Sequence, residues 1–570
     1  MSDSERAVSR RNWLRLLSGG GIASGVAAAT YTALAQPQTT SSTGKDLGAR
    51  TYNIRDFGAK GDGTTLDTAA LQSAIDACAR DMGGTVLVPA GTFVIGTTEL
   101  KSNVTLHIAA GGKLLGSADG KQYRNIDAIP LHGDSTLEDG NCGLLYAVGA
   151  ENIAVEGMGT IDGQGAQFHS AVRGTPPPSG RGGSQRPYHL LFYRCNNLIV
   201  RDLTLINCAF HSIRVIQSHY VKMEGLHIHN RVNGNNDGFH FISCERVHVN
   251  NCDIETQDDA CALFGSCKWV TVANSSFSTR WSVFRFGGGV AENIAVSNCL
   301  IYETTGCPIK LRCGPNSRFE NMSFSNIIFD RVTGPISLGL GPRQRRSAPG
   351  AGPEAALPQP ENETPGILRN ITFANIRGSV ITPTPNPDME VMSGFRPGEI
   401  KSCIALNGVG AYLENIVFDN VHLTFPGGGT AEEAALRDVP KIVGEYFETG
   451  TYPSFAMFAR NVRGLTLSNV RFEVNAEEHR PAVVFDHVED ASVAQLNVRG
   501  TKAAESMLRF IETKDVLLTS PRVLAPSAAF LQVEGSSSAN IIVDGGDIAK
   551  ASTPVNFAKG TGKDAVKIRT

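Results

Sequence analysis

Three aspartates in one short stretch are placed to do acid and base chemistry. Asp237 precedes the adjacent pair Asp258 and Asp259 by 21 residues, and the segment between them reads as a β-strand. If one coil of a solenoid takes about that many residues, the acids lie on successive coils, about 4.8 Å apart. Like-charge repulsion then raises the pKa of one carboxyl, which makes it a proton donor beside ionised partners. The spacing predicts an acid and base site, the alternative being that all three are ordinary turn residues.

The elements that position these acids are visible as a repeated phrase, apolar-x-apolar-x-Asn. Its first steps are 23, 24 and 28 residues long, and later steps widen through insertions. The phrase ends at Asn251, Asn274, Asn298, Asn326, Asn375, Asn420 and Asn469. Short alternating strands that end in a stacked Asn at this period are typical of a parallel sheet wound into a helix. We therefore predict an all-β solenoid and not an antiparallel sandwich, whose strands are not spaced by whole coils.

An amphipathic helix is predicted ahead of the first coils. Asp67 is a candidate N-cap, and the next apolar residues follow helical spacing on one face. These are Leu71, Ala74, Ile75 and Cys78. Gly83 and Gly84 end the helix. Such a helix is expected to cap the open end of the solenoid, which otherwise exposes core and strand edges.

Composition favours one large domain and argues against nucleic acid as a partner. The formal net charge is −3, which is far from the strongly basic balance of proteins that bind nucleic acid. We predict a single, monomeric solenoid domain over residues 51–570. Loop insertions are expected near 341–365, 377–400 and 426–455, either as walls of a binding groove or as surface decoration.

The N-terminus reads as a targeting segment. Ser9-Arg10-Arg11-Asn12-Trp13-Leu14 resembles a twin-arginine export signal, followed by a Gly/Ala-rich apolar run and a cleavage site at Ala33-Leu34-Ala35. We expect a signal peptide over 1–35, a linker over 36–50, and a periplasmic or secreted mature protein. No later apolar run is long enough to anchor that mature protein in a membrane.

The twelve cysteines are expected to be mostly free, buried thiols. Cys252 and Cys299 follow directly after Asn251 and Asn298, so they occupy the same place in two repeats and read as small core residues. A protein exported after folding must also fold in a reducing cytosol. The cysteine and histidine spacings do not match a zinc site, and we expect neither a bound metal nor a cofactor.

Several motifs carry a resemblance to a known family. The chain contains, in order, YNIRDFGAKGDG, VPAGTF, GTIDGQG around Asp162, and NNDG followed by QDDA. Together they resemble glycoside hydrolase family 28, the polygalacturonases, which are pectin-degrading right-handed parallel β-helix proteins. The resemblance covers roughly residues 51 to 340. It implies the right-handed form of the solenoid and hydrolysis of a glycosidic bond in a pectin-like or other uronic-acid-containing glycan.

The resemblance also implies roles for individual residues. Asp258 matches the general acid, and Asp237 and Asp259 match the pair that holds and deprotonates water in an inverting hydrolysis. Lys310 matches a residue that steadies a sugar hydroxyl or carboxylate beside the scissile bond. Asn235, within the NNDG motif, is a candidate substrate contact.

Three places depart from the family pattern. The family carries Gly-His-Gly where this chain has Trp281-Ser282-Val283, and Arg-Ile-Lys where it has Pro308-Ile309-Lys310. Arg285 and Arg312 are candidates to supply positive charge beside the acids in place of the missing family residues. Where relatives usually show Trp-x-x-His, the chain has His211 and Arg214, which are either substrate contacts or a surface pair. A polygalacturonate, a related uronic-acid glycan and a neutral glycan all stay open as substrates.

Two other functions compete with hydrolysis. A polysaccharide lyase on the same architecture would use the acids as Ca²⁺ ligands and Arg285, Lys310 or Arg312 as the base. A non-catalytic solenoid would bind a glycan without cleaving it. A lyase differs from a hydrolase in its ultraviolet-absorbing unsaturated product and its sensitivity to chelator.

Overall fold

The computed structural model describes residues 48–130, 140–170, 175–342, 363–382, 401–444 and 446–569. The expected signal peptide and almost all of the linker lie outside this part, as do most residues of the insertions expected near 341–365 and 377–400. No helix in the described ranges has both the length and the apolar character needed to cross a bilayer.

The described part contains 41 β-strands and three α-helices, numbered in chain order. The elements before the acidic stretch are β1 (Thr51–Asn53), β2 (Asp62–Leu66), α1 (Thr68–Arg80), β3 (Gly84–Val88), β4 (Gly91–Ile95), β5 (Thr98–Glu99), β6 (Val104–Ile108), β7 (Gly112–Gly116), β8 (Gly143–Val148), β9 (Glu151–Glu156), β10 (Thr160–Asp162), β11 (Tyr188–Tyr193), β12 (Asn196–Arg201) and β13 (Thr204–Ile206).

The coils around the acids follow. They are β14 (Ile213–Ile216), β15 (His219–Glu224), β16 (His227–Asn230), β17 (Phe239–Ile242), β18 (Glu245–Asn250), β19 (Asp253–Thr256), β20 (Cys261–Phe264), β21 (Lys268–Ala273), β22 (Ser276–Thr279), β23 (Phe284–Gly287), β24 (Val290–Tyr302), β25 (Ile309–Cys313), β26 (Arg318–Val332) and β27 (Ile336–Leu340).

The remaining elements complete the solenoid. They are β28 (Ile367–Val380), β29 (Ile404–Gly408), β30 (Leu413–Phe425), α2 (Ala431–Ala435), α3 (Tyr446–Thr449), β31 (Met457–Ser468), β32 (Arg471–Val474), β33 (Val483–Ala494), β34 (Asn497–Arg499), β35 (Leu508–Ile511), β36 (Lys514–Thr519), β37 (Arg522–Val523), β38 (Ser527–Glu534), β39 (Ala539–Asp544), β40 (Ala551–Ala558) and β41 (Val566–Arg569).

The strands form a right-handed parallel β-helix, as predicted. Each strand pairs in parallel with strands one coil away, and the strands fall on three faces. Face A contains β8, β11, β14, β17, β20, β23, β25, β27, β29 and the first residues of β31; face B contains β6, β9, β12, β15, β18 and β21; face C contains β7, β10, β13, β16, β19 and β22. The long strands β24, β26, β28 and β30 run from face B into face C. The interior is one continuous apolar core, because alternate side chains of every face point inward.

The predicted Asn ladder lies at the turn between faces B and C. All seven residues adopt the left-handed conformation, which Asn tolerates better than other non-glycine residues. From Asn298 to Asn469 each side-chain amide donates to the Asn one coil earlier, over 2.7 to 3.2 Å. The prediction is wrong at the first step, where Asn274 donates to Asn250 and not to Asn251.

The helix α1 forms where predicted and begins directly after Asp67. Leu71, Ala74, Ile75 and Cys78 are buried as expected. Asp67 precedes the helix, but its side chain makes no capping hydrogen bond. Its carboxylate accepts instead from the backbone N–H groups of Lys60 and Gly61, at 2.7 and 2.9 Å, so it fixes the preceding loop. The role of α1 as a cap stays a prediction.

All twelve cysteines are free and buried, which confirms the prediction for them. Cys252 and Cys299 belong to the continuous core. Burial raises the pKa of the Cys195 thiol to about 11 and that of Cys313 to about 12. These thiols therefore act as small apolar side chains.

The insertion expected near 426–455 folds back against face A. α2 begins with a capping box in which Thr430 and Glu433 satisfy each other's backbone N–H groups. Arg460, on the outer side of face A, donates to the carbonyls of Val439 and Pro440, at 2.7 and 2.9 Å. The Tyr446 hydroxyl donates to the Thr305 carbonyl at 3.0 Å. The segment is thus fixed to the face by polar contacts from several coils.

Candidate active site

The three acids lie on adjacent coils, at the edge where the chain enters face A. Asp237 is two residues before β17 and Asp259 is two residues before β20, and Phe239 and Cys261 in these strands are partners in the parallel ladder. The Gly238 N–H donates to the Asp259 carbonyl at 2.9 Å, which ties the two turns together. The coil period therefore brings together acids that are far apart in sequence.

Asp258 is buried and close enough to the other two carboxyls for their charges to act on it. Its residue is 8% exposed, and its Oδ1 accepts from the Asp259 backbone N–H at 2.9 Å. Burial, and then the charges of Asp237 and Asp259, raise the pKa of Asp258 well above its ordinary value, although Arg285 opposes this. A carboxyl with a raised pKa keeps its proton to higher pH than an ordinary aspartate does, as a general acid requires.

Asn235 orients the Asp258 carboxyl. Its amide donates to Asp258 Oδ2 at 3.3 Å, and its own oxygen accepts from Arg186 at 3.2 Å. Arg186 also donates to the Gly234 carbonyl at 2.8 Å, and its guanidinium lies over the Phe210 ring. Arg186 was not singled out in the sequence, since the loop before β11 carries no motif that links it to the acids.

Arg285 neutralises Asp259. Its Nη1 donates to Asp259 Oδ2 at 2.9 Å, and its guanidinium lies 5.0 Å from the Phe264 ring centroid. Burial alone lowers the pKa of Arg285, but the carboxylates of Asp259, Asp258 and Asp237 outweigh it and raise that pKa. The guanidinium therefore stays charged and keeps a positive group beside the acids.

Asp237 is held by a stack of rings that sequence reasoning did not find. The His240 Nδ1 lies 2.9 Å from Asp237 Oδ2, within reach of an N–H to carboxylate hydrogen bond. The ring of His240 stacks on His211 at 4.6 Å between centroids, and on Phe264 at 5.0 Å. His240 is a polar residue in the buried strand Phe-His-Phe-Ile, and that was the available signal.

His211, Asp237 and His240 could in principle hold a metal ion, because their ligand atoms lie within 4.8 Å of one another. The two imidazole planes differ by only 4° and the rings are stacked. Imidazole binds a metal through a lone pair in the ring plane, so two stacked rings aim their lone pairs in parallel and not at one point. The geometry suits a hydrogen-bonded support for Asp237 better than a metal centre.

His211 and Arg214 are buried, which excludes the surface pair that was one of the two interpretations of these residues. They are 1% and 2% exposed. His211 Nε2 is 3.7 Å from Asp237 Oδ1, while Arg214 donates to the Tyr188 hydroxyl at 3.0 Å. Burial, and then the charges of His240, Arg214 and Arg186, lower the pKa of His211 well below its ordinary value, so His211 is a neutral ring at neutral pH.

Lys310 extends a column of outward side chains on face A. Successive ladder partners are Arg214, His240, Ala262, Arg285 and Lys310. The Lys310 ammonium lies 5.6 Å from the Trp281 ring centroid. Burial, and then the charges of Arg285 and Arg312, lower the pKa of Lys310 well below its ordinary value. This column places Lys310 one coil beyond Arg285, on the same wall as the acids.

Arg312 also lies on face A, but its side chain contacts the insertion at 426–455. It forms an ion pair with Glu448 in α3. Arg312 and Arg285 also line a cavity of about 230 Å³ with Phe264 and Gly287 as neighbours. Of the two replacement cations suggested by the sequence, Arg285 contacts an acid directly and Arg312 contacts the insertion.

The raised pKa of Asp258 predicts a pH dependence of stability. In the folded protein Asp258 binds a proton at pH values where it is ionised in the unfolded chain. Its contribution to stability is therefore full below the unfolded pKa of about 4, and falls as pH rises through the folded value. Asp258→Asn removes this dependence, so the stability of the variant relative to wild type should grow from pH 4 to pH 8. Urea unfolding of both proteins at pH 4 and pH 8 measures the difference in their free energies of unfolding. The same difference at both pH values would contradict the prediction.

A family model described as Glycosyl hydrolases family 28 matches residues 78–401, more than half of the chain. The chain belongs to glycosyl hydrolase family 28. Within this family 28 protein the match extends beyond residue 340, where the sequence resemblance was expected to end. It includes all three acids, Arg285 and Lys310.

Two relatives are similar over part of this family 28 chain. The exo-poly-alpha-D-galacturonosidase of Dickeya chrysanthemi is 32% identical over 253 residues, which cover 37% of this chain and 41% of that protein. A probable polygalacturonase of Vitis vinifera is 29% identical over 224 residues, which cover 38% of this chain and 44% of that protein. The chain thus spans less than half the length of these two relatives.

Solved structures support the same fold. The Yersinia enterocolitica family 28 exopolygalacturonase matches with a TM-score of 0.52 at 22% identity, covering 80% of this chain and 79% of that one. A hyperthermoactive exopolygalacturonase from Thermotoga maritima matches with a TM-score of 0.54 at 19% identity, covering 74% and 91%. At these identities the likeness describes the β-helix and leaves the chemistry to the site.

Proposed function

We propose that this family 28 protein hydrolyses a glycosidic bond of a pectic, uronic-acid-containing polysaccharide or oligosaccharide by inversion. The observation that carries the proposal is Asp258, a buried carboxyl whose pKa is raised by its burial and by two further carboxyls nearby. Such a group is a proton donor, and a neighbouring carboxylate can activate water.

In this mechanism Asp258 gives its proton to the glycosidic oxygen as the bond to the sugar breaks. Asp237 and Asp259 orient a water molecule and take its proton as the water attacks from the opposite side of the ring. His240 and Arg285 hold these two carboxylates in place. Asn235 orients Asp258 toward the leaving oxygen.

A uronic acid is favoured as substrate by the positive charge on this wall. Arg285 and Lys310 follow the acids on face A, and Arg186 lies on the other side of Asp258. Guanidinium groups bind carboxylates through charge-assisted hydrogen bonds. The names of the Dickeya and Vitis relatives, a galacturonosidase and a probable polygalacturonase, support galacturonate as the first substrate to test.

Cleavage from a chain end is favoured over internal cleavage. The acids are at most 8% exposed. On one side, Ile126 and Ile129 pack in a cluster with Tyr146 and Leu191 of face A. On the other side, Val439 and Tyr446 pack in a cluster with Ala405 and Phe458 of the same face. A site covered on both sides suits a chain end, and the Dickeya relative is named as an exo-acting enzyme.

A glycan panel tests the proposal. Wild-type protein is incubated with polygalacturonate, methylated pectin, xylogalacturonan and a neutral arabinan, and new reducing ends are quantified. We expect turnover on polygalacturonate, release of small products from the start, and an inverted anomer by NMR. Absence of new reducing ends on all four glycans would reject the hydrolase and move support to a glycan-binding solenoid.

The same panel separates the hydrolase from a lyase. The lowered pKa of Lys310 is the one observation that favours a lyase, because a neutral lysine can abstract a proton. The contact between Arg285 and Asp259 argues against a lyase. Arg285 donates a hydrogen bond to the Asp259 carboxylate, and its positive charge opposes binding of Ca²⁺ by the acids. We expect products without ultraviolet absorbance and activity that survives EDTA. Absorbing products that vanish with EDTA would identify a lyase.

We further propose that the protein acts in the periplasm or outside the cell after twin-arginine export. Support comes from the Arg10-Arg11 pair in the N-terminal motif and from the free thiols, which let the chain fold in the cytosol before export. Replacing Arg10 and Arg11 together by lysine is expected to retain the protein in the cytoplasmic fraction. Unchanged export of that variant would contradict this route.

A further inference from the structure

A second ladder of left-handed residues runs along face B, away from the acids. The usual residue directly before the buried apolar residue that begins this face in each coil is Asn, and its amide bonds to the Asn one coil earlier. Such bonds join Asn103, Asn152 and Asn197 at 2.9 Å, and later Asn293, Asn321, Asn370 and Asn415 at 3.0 to 3.4 Å. Between these two runs the ladder is interrupted.

The interruption occupies three successive coils. The position that Asn occupies elsewhere holds Tyr220 in β15, Arg246 in β18 and Trp269 in β21. These three strands pair with one another in that order. Their φ angles are 54°, 56° and 54°, the same left-handed conformation that Asn adopts elsewhere. The guanidinium of Arg246 lies between the two rings, 5.2 Å from the Tyr220 centroid and 4.7 Å from that of Trp269.

This arrangement weakens the coil that carries it. Bulky side chains in the left-handed region are less favourable than Asn, and the amide hydrogen bonds of the ladder are absent at these steps. The rings gain little from burial, because Tyr220 is 52% exposed and Trp269 is 43% exposed. Exposed aromatic residues held in an unfavourable backbone conformation are typical of binding sites.

A groove continues from Trp269 along the same face. Its volume is about 540 Å³, and it runs past the ladder amides of Asn293, Asn321 and Asn370. Small side chains form its floor, among them Thr271, Ala295 and Ser323. Aromatic rings at one end and amides at about 4.8 Å spacing thus line one continuous surface.

We propose that this surface on face B is a second binding site for a polysaccharide chain, separate from the acids on face A. The choice of glycan rests on the proposed function. Aromatic faces attract the C–H faces of sugar rings, Arg246 supplies a partner for a uronate carboxylate, and the repeated amides offer hydrogen bonds to hydroxyls. A protein partner is a poorer fit, because a regular row of ladder amides, Asn293, Asn321 and Asn370, borders the groove and matches the repeated hydroxyls of a polysaccharide.

The test replaces the aromatic pair by the residue that the ladder uses. Tyr220→Asn with Trp269→Asn removes both rings and restores Asn at a left-handed position, so the double variant is expected to unfold at the same temperature or higher. The control variant is Ile328→Ser. Ile328 is an apolar residue on face C that is 55% exposed. All variants are made both in the full chain and with Asp258→Asn, which prevents hydrolysis of the probe.

Binding is measured by affinity electrophoresis in gels that contain polygalacturonate. We expect the aromatic double variant to bind about tenfold more weakly than its parent, and Ile328→Ser to bind like the parent. With Asp258 intact, hydrolysis of trigalacturonate should be unchanged, while turnover of the polymer should fall.

Equal retention of the double variant and its parent would overturn the second site, and so would a parent that is not retained. Either result leaves the catalytic proposal standing if trigalacturonate is cleaved. Conversely, loss of retention in the double variant without turnover by any form would support the surface and reject the hydrolase.

Discussion

Replacement of Asp258 by asparagine is expected to reduce turnover of polygalacturonate by about 10²- to 10⁴-fold. Asparagine has nearly the same shape, and its one oxygen can still accept one of the two hydrogen bonds that Asn235 and the Asp259 N–H donate to the carboxyl, but it has no acidic proton for the leaving oxygen. Reducing-end assays on wild type and variant measure the loss. Because the glycan contacts remain, affinity for the substrate should change little.

An exposed aspartate gives the matched control for this prediction. Asp253 starts β19 on face C, five residues before Asp258, and its exposed side chain accepts a hydrogen bond from Ser276. Asp253→Asn should leave turnover within twofold of wild type, which is about 0.4 kcal/mol. If Asp258→Asn retained wild-type turnover while remaining folded, Asp258 would not be the proton donor.

The second large effect concerns the buried ion pair that supports the insertion at 426–455. Glu478 and Arg480 have side chains that are 0% and 2% exposed, and they are joined by two hydrogen bonds of 2.9 and 2.8 Å. Glu478 also accepts from the Gly429 N–H, and Arg480 donates to the Tyr452 and Ser454 carbonyls. Arg480→Met leaves a buried carboxylate without its counter-charge, so we expect a loss of about 3–5 kcal/mol in free energy of unfolding.

Urea unfolding of a small set of variants checks this value. The double variant Glu478→Gln with Arg480→Met should lose less than Arg480→Met alone, because no unpaired charge is left. The exposed pair Arg331 and Glu303 serves as the control, since its side chains are 54% and 49% exposed. Arg331→Met should cost about 1 kcal/mol or less. Equal losses at both sites would mean that leaving the buried Glu478 carboxylate unpaired costs no more than breaking an exposed ion pair.

The sequence allowed the coils to be predicted because their pattern is local. In seven coils an Asn in the left-handed conformation follows the alternating residues, so the period could be read without knowing any long-range contact. The same period placed Asp237 beside Asp259, since the two turns precede strands that pair in register. What repeats along the chain was therefore predictable.

The supports of the acids were not predictable in the same way. His240 reads as one more residue of a buried strand, and its contact with Asp237 depends on ring stacking across three coils. The cover over face A depends on pairs that are far apart in sequence, such as Arg312 with Glu448 and Tyr446 with Thr305, separated by 136 and 141 residues. No local period encodes such contacts.

The buried thiols can also be used as labelling probes for local opening of the chain. A thiol whose pKa is raised by burial is almost wholly protonated and shielded, so an alkylating reagent modifies it only when its coil opens. The rate of labelling at each cysteine then reports the free energy of opening at that place. Because the series runs from Cys78 to Cys403, mass spectrometry after timed alkylation can rank the coils on both sides of the acids by how readily they open.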